Sequence, residues 1–230
     1  MSRRFALIAV MAILFATPAT AFCKVALALG LDISSSVNSR EHRLQQEGLA
    51  SALESKEVQQ AILTPAGAYI EAAAFEWSGL PQQSLIIDWT RLDTPEAITT
   101  FANRLRQNWR RYSEFSTALG KAVEYGANLL RRSPPCARKV LDISGDGENN
   151  DGAGPDFYRA QGALDGITIN GLVILGAYPN PAIYYRANVI QGPNAFLAQA
   201  MRFEDYRDVM LGKLLREIGE ELVLGEVTRK

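Results

Sequence analysis

Val25 to Ser36 reads VALALGLDISSS, and this stretch constrains the chain more than any other. A run that is apolar at every position suits a central parallel strand covered on both faces. It stops at Asp32, and Ser34 and Ser36 follow at alternate positions. Alternate residues in an extended or gently turning segment point the same way, so three oxygens can converge at one edge of a sheet. A serine-rich turn that merely caps the next helix is the competing explanation.

The rest of the chain supplies the sheet. Lys24 to Leu31 is the first strand, and Asn38 or Ser39 can cap a helix over Arg40 to Leu53. A short helix over Lys56 to Leu63 is broken by Thr64-Pro65-Ala66-Gly67. Strands over Ala68 to Trp77 and Ser84 to Thr90 flank the turn Ser78-Gly79-Leu80-Pro81, which predicts an antiparallel hairpin. Pro95 near a first helical position starts a helix that runs to Trp109. Ser116 or Thr117 opens the next, which runs to Arg132 before Ser133-Pro134-Pro135. A fourth strand over Lys139 to Ser144 leads into the polar loop Gly145 to Gly152. A helix over Pro155 to Leu164 and a strand over Ile167 to Leu175 follow, then a Tyr- and Pro-bearing loop over Ala177 to Gly192. A short strand over Ala195 to Ala200 and a closing helix over Phe203 to Leu222 complete the order. That alternation predicts a three-layer α/β sandwich with a mostly parallel, doubly wound sheet and one antiparallel edge strand.

The first residues read differently. Arg3 and Arg4 precede the apolar run Phe5 to Ala16, and Ala19-Thr20-Ala21 offers a small-x-small cleavage site. The expectation is a signal peptide over residues 1–21 and one domain over residues 22–230, placed in the periplasm or secreted. No later segment is long and apolar enough to cross a bilayer, so no stable membrane insertion is expected after cleavage. The chain carries 24 Lys and Arg against 25 Asp and Glu, with no basic patch, so nucleic acid is not an expected partner.

Ligands of open α/β sheets sit at the carboxyl ends of strands. Asp32 ends the first strand and Asp146 follows the fourth. Carboxylates joined by hydroxyls suit a hard divalent cation, magnesium first, with calcium or manganese as alternatives. Asp142 lies inside an apolar strand, where an unpaired charge is costly. It either orients a ligand or a backbone group, or meets an Arg or backbone donor for purely structural reasons. Glu148, Asn149 and Asn150 either line the rim of the metal face or belong to a solvated loop. Trp77, Tyr178, Tyr184 and Tyr185 could form a contact rim or cover the core. His42, the one histidine, sits among charged neighbours and is expected to face solvent on its helix. Without a second histidine or a Gly-x-Ser-x-Gly elbow, a Ser-His-Asp relay has no support. The chain also lacks phosphate- and dinucleotide-binding glycine loops.

Three segments carry a family likeness: LDISSS, STALGKAV at Ser116 to Val123, and VLDISGDGENN at Val140 to Asn150. They resemble the von Willebrand factor A-type domain, and the likeness extends over nearly all of the chain after residue 21. It is nearest an uncharacterised group of exported proteobacterial members, taking in Phe75 to Gly79, Ile167 to Leu172, Tyr184-Tyr185-Arg186 and Gln191-Gly192-Pro193. The resemblance implies a metal-ion-dependent adhesion site. Asp32, Ser34 and Ser36 would form its first loop, Thr117 its second and Asp146 its third. Phe115-Ser116 stands where the family often has glycine before the threonine, so Ser116 remains a rival ligand. The family's Thr-Asp-Gly is Gly145-Asp146-Gly147 here, which keeps the carboxylate and loses a hydroxyl.

The resemblance also places the first and fourth strands side by side and parallel. Cys23 and Cys136 then fall near the end of the sheet opposite the metal, which implies a disulfide, permissible in an exported chain. Taken together, these features predict a binding module that engages an acidic residue of another protein through its cation, and not an enzyme. A hydrolase using the same cation is the alternative, with Glu148 or Asp142 as its base.

Overall fold

The computed structural model describes residues 21–219. Apart from Ala21, the expected signal peptide lies outside the described residues, as do the last three residues of the expected closing helix. Six strands form one sheet: β1 (Phe22–Asp32), β2 (Ala68–Trp77), β3 (Gln83–Leu92), β4 (Arg138–Gly145), β5 (Thr168–Ile174) and β6 (Leu197–Ala200). Their spatial order is β3-β2-β1-β4-β5-β6. Every pairing is parallel except β2 with β3, so the hairpin places β3 at one edge as the antiparallel strand.

Seven α-helices lie among the described residues: α1 (Ser39–Leu53), α2 (Lys56–Leu63), α3 (Pro95–Gln107), α4 (Leu119–Arg131), α5 (Pro155–Ala160), α6 (Pro181–Tyr184) and α7 (Tyr206–Gly219). The expected closing helix begins as a 3-10 turn over Phe203–Asp205. One face of the sheet packs residues of α1, α2, α3 and α7, and the other packs residues of α4 and α6. Strand β1 explains the layering. Val25, Leu27, Leu29 and Leu31 enter the first core, while the smaller Ala26 and Ala28 enter the second, under Phe75, Trp77, Leu141 and Ile143. Burying each large side chain on β1 contributes about 1.5–3 kcal/mol.

Local chemistry sets the helix starts. Asn38 Oδ1 accepts from the N–H of Arg40 and Glu41, and Glu41 Oε2 accepts from the N–H of Asn38, a reciprocal cap at the head of α1. Thr94 caps α3 by accepting from Ala97 N–H. Helix α4 departs from expectation: its N-cap is Ala118, and neither Ser116 nor Thr117 caps it.

Cys23 and Cys136 are joined by a disulfide, with Cα atoms 4.6 Å apart across 113 residues of chain. The bond ties the start of β1 to the segment entering β4, and Ala137 N–H donates to Cys23 O beside it. At the other end Leu31 pairs with Ser144, so Asp32 and Gly145 finish their strands together. From β1 the chain crosses to β2 on one side, and β4 lies on the other, so this is the point where the strand order reverses.

Candidate functional site

The loop leaving β1 is bound from several sides. Ile33 N–H donates to Trp77 O at 2.9 Å, and Ser35 N–H donates to Phe115 O at 2.9 Å. Gln45 on α1 donates through Nε2 to Asp32 O. Arg110 Nη2 donates to the carbonyls of Ile33 and Ser34, both at 3.0 Å. These contacts curl the loop so that Ser34 N–H meets Asp32 Oδ1 at 2.7 Å. Ser34 Oγ then lies 3.1 Å from Ser36 Oγ, and Ser36 Oγ donates to Asp146 Oδ1 at 2.7 Å. Asp32, Ser34, Ser36 and Asp146 thus form one hydrogen-bonded chain, running through the Ser34 N–H and the two serine hydroxyls from the buried end of β1 to an exposed mouth.

Thr117 reaches the same place by another route. Asn150 accepts Thr117 N–H through Oδ1 and donates its own N–H to Thr117 O. Asn149 Oδ1 accepts from Gly120 N–H, and Asn149 Nδ2 donates to Gly152 O. Two side chains of the β4–α5 loop therefore clamp the start of α4. A side chain at position 120 would collide with Ala153 O at 2.1 Å, so glycine lets the two segments close. Thr117 is buried and Ser116 is exposed. Thr117, Ser36, Asp146, Gly147, Glu148 and Asn149 line one cavity of about 310 Å³, together with Tyr178 at its lip. The Thr117 hydroxyl faces Gly147, 3.7 Å from where a Cβ would stand.

The electrostatics are those of a site short of positive charge. Burial, then the charge of Asp146, pushes the Asp32 carboxyl up to about 7. Burial also raises Asp146, with Glu41 adding to the effect, although the Ser36 hydrogen bond opposes it. Asp32 Oδ2 is buried and accepts no hydrogen bond. The Tyr185 hydroxyl and the Trp77 indole N–H are likewise buried without a partner. Asp32 Oδ2, the Tyr185 hydroxyl and the Trp77 ring crowd around Gly145, where a Cβ would lie 2.9, 2.5 and 3.2 Å from them. Burial, with Asp32 and Asp146 next, holds the Tyr185 hydroxyl well above the ordinary phenol range.

An open buried carboxylate oxygen, a second carboxylate and three hydroxyls fit a hard divalent cation. Among the described residues no three His, Cys, Asp or Glu side chains form a cluster, so the donor set is this mixed one. Such a cation would offset the burial, and the repulsion from Asp146 and Glu41, that raise the two carboxyls.

Several expected positions need correction. His42 does not face solvent: it is buried, with Nε2 2.7 Å from Glu76 Oε1, which also accepts from Asn108 Nδ2. Helix α1 is packed by both α3 and α7, so its buried stripe is wide enough to take in His42, Gln45 and Gln46. Of the aromatic residues left open between a contact rim and the core, Trp77 and Tyr185 are fully buried in the core, whereas Tyr178 is exposed. Asp142 meets a lysine, not an arginine: Lys213 Nζ lies 2.7 Å from its Oδ2 and also pairs with Glu217. Asn170 Nδ2 donates to Glu217 Oε1, the same oxygen that pairs with Lys213. The side chains of Arg110 and Gln45 carry no motif. Tyr185 lies in the Tyr184-Tyr185-Arg186 segment of the resemblance, but its place beside Asp32 is not among the expectations; it opens a π-helical turn over Tyr185–Val189, a geometry frequent at functional sites.

A family model described as "Protein of unknown function (DUF1194)" matches residues 22–222. No curated protein matches the sequence. Among solved structures, the proximal thread matrix protein 1 of the mussel byssus, with a zinc-occupied MIDAS motif, superposes with a TM-score of 0.64 at 14% identity, covering 87% of this chain and 49% of that one. The PilB minor pilin of Streptococcus sanguinis gives 0.63 at 14% identity, covering 90% and 64%. A von Willebrand factor type A protein from Catenulispora acidiphila gives 0.58 at 14% identity, covering 87% and 44%. The chain spans about half the length of the byssus protein.

Proposed function

Because the chain belongs to the DUF1194 family and is built on a von Willebrand factor A-type domain, we propose that it is a divalent-cation-dependent binding module that captures an acidic residue of another protein. The observation that carries this reading is the convergence of Asp32, with its open buried Oδ2, on Ser34, Ser36 and Asp146 where the strand order reverses. Thr117 supplies a further hydroxyl from the cavity wall, and Ser116, exposed and outside the set of cavity-lining residues, is the weaker candidate. Glu148 and Asn149 sit at the rim. Few protein ligands and an open mouth favour magnesium, which keeps several waters, over calcium, which seeks more oxygens. A cation held by two carboxylates retains the electrophilicity to take a third from outside.

The disulfide supports an exported location, in the periplasm or beyond the cell, with residues 1–21 as a cleaved leader. Among the described residues no helix is long and apolar enough to cross a membrane. Similar folds named as a byssus matrix protein and a minor pilin support binding over catalysis. The hydrolase alternative retains only Glu148 as a base beside the cation, because Asp142 is engaged by Lys213.

Titration calorimetry with magnesium, calcium and manganese tests the reading. Saturable binding lost in Asp32→Ala is expected, and absence of binding by any of the three would sink it.

A further inference from the structure

Beside the oxygen cluster lies a second, larger cavity of about 780 Å³, between α1 and the segment that leaves α3. Arg43, Gln46, Arg106, Asn108, Trp109 and Arg110 line it, and no carboxylate does. Arg106 is neutralised by Glu47 and Glu54. Arg43 is exposed and makes no ion pair among the described residues. Arg110 spends Nη2 on two carbonyls, and its Nε is buried without an acceptor. Trp109 is 87% exposed, although tryptophan is among the side chains most favoured to bury its surface in interface hot spots. Tyr178, 99% exposed, stands at the lip of the other cavity.

We propose that this groove receives an acidic segment of the partner, whose chain continues from the carboxylate at the cation onto Arg43, Arg110 and Trp109. The inference rests on the cation-binding reading above. Three observations support continuity. Arg110 directly holds the carbonyls of Ile33 and Ser34. Ser39, at the groove wall, is three residues beyond Ser36. Residues 110–117 run without regular structure from the groove to Thr117. A peptide is favoured over a phosphate polymer because the basic charge here is local: the whole chain has a net charge of −1. Arginine and tryptophan together give the anchor chemistry of protein interfaces, and unpaired arginines steer an acidic partner to the site.

The test uses fluorescein-labelled hexaglutamate and fluorescence anisotropy, on the purified protein with magnesium. Hexaglutamate is expected to bind and hexaglutamine not to. Arg43→Glu and Trp109→Ala, both at exposed positions, are each expected to weaken hexaglutamate about tenfold, the size of losing a well-placed interface contact. Magnesium affinity by calorimetry and the melting temperature should stay unchanged in both. Failure of hexaglutamate to bind, or unchanged affinity in both variants, overturns the groove. Displacement by inorganic polyphosphate better than by unlabelled hexaglutamate overturns the acidic-peptide assignment. Chelator separates the two claims. If it abolishes binding that the variants leave intact, the groove falls and the cation reading stands. If it has no effect on binding that the variants weaken, the groove takes acidic peptide without the cation, and the proposed continuity of the segment with the cation site is overturned, while calorimetry still decides the cation reading.

Discussion

Ser36 Oγ donates a 2.7 Å hydrogen bond to Asp146 Oδ1 across 110 residues of chain. The contact exists because β1 and β4 are neighbours whose ends finish in register, so the loops that leave them share one edge. It also shows what the protein alone does with two crowded carboxylates: a hydroxyl offsets part of a charge that, among the described residues, forms no ion pair, although Arg110 lies close enough to feel Asp32.

Removing one of those charges should therefore separate stability from function. Asp32→Asn eliminates a buried carboxylate that is raised to about 7 by burial and by Asp146. In chelator its melting temperature should rise above that of the wild type. With magnesium at 100 times its Kd, the wild type should gain about 2.7 kcal/mol, and Asp32→Asn nothing. Differential scanning calorimetry with and without magnesium reads both. A variant that is less stable in chelator and still stabilised by magnesium would contradict the assignment of Asp32.

The crowding around Gly145 gives a second prediction. Gly145→Ala places a methyl 2.5 Å from the Tyr185 hydroxyl and 2.9 Å from Asp32 Oδ2, both buried. Overpacking of this kind costs about 1–3 kcal/mol. Tyr185→Phe deletes the nearer of the two atoms, so the double variant should recover part of the loss. Urea unfolding of the four proteins yields the coupling energy, and strict additivity would mean that the hydroxyl is not what the methyl meets.

Much of this site is legible in the sequence because strand ends are. An apolar run that stops at a carboxylate marks both an element and its exit, and Asp32 and Asp146 carry that mark. The cysteines were legible only with the resemblance, which makes β1 and β4 neighbours. What stayed hidden depends on packing from a third layer. His42 reads as exposed because its neighbours are charged, yet α3 and α7 close over that face of α1. Asp142 has its cation on α7, a pairing that no local pattern announces. Thr117 looks like a helix cap, but Asn149 and Asn150 reach across to hold the start of α4.

The disulfide should matter for stability and not for the cation. It lies at the start of β1, at the opposite end of the strand from Asp32, and closes a loop of 113 residues. In the chain-entropy model such a loop contributes about 4–5 kcal/mol. Cys23→Ala/Cys136→Ala should lower the urea midpoint accordingly, with magnesium affinity at low temperature within twofold of wild type, about 0.4 kcal/mol. A large loss of magnesium affinity in the folded variant would mean that the two ends of the sheet are coupled.

The buried trio Asp142, Lys213 and Glu217 sets a pH dependence that can be assigned a sign. Two carboxylates share one ammonium, and Asp142 is raised to about 7 by burial, against the attraction of Lys213 and with the repulsion of Glu217. In the unfolded chain an aspartate titrates near its ordinary value, about 3.9. Between that value and about 7, the folded protein holds a proton at this site that the unfolded chain has released. Stability from this group therefore falls as pH rises through that window and levels off above it. Asp142→Asn removes the titration and leaves Lys213 paired with Glu217. Its stability relative to wild type should climb from pH 5 to 8, measured by urea unfolding at fixed ionic strength. Lys213→Met should do the opposite, destabilising by about 3–5 kcal/mol at pH 8, because it leaves two buried carboxylates without their cation. A flat difference between Asp142→Asn and wild type across this range would show that Asp142 stays ionised in the fold.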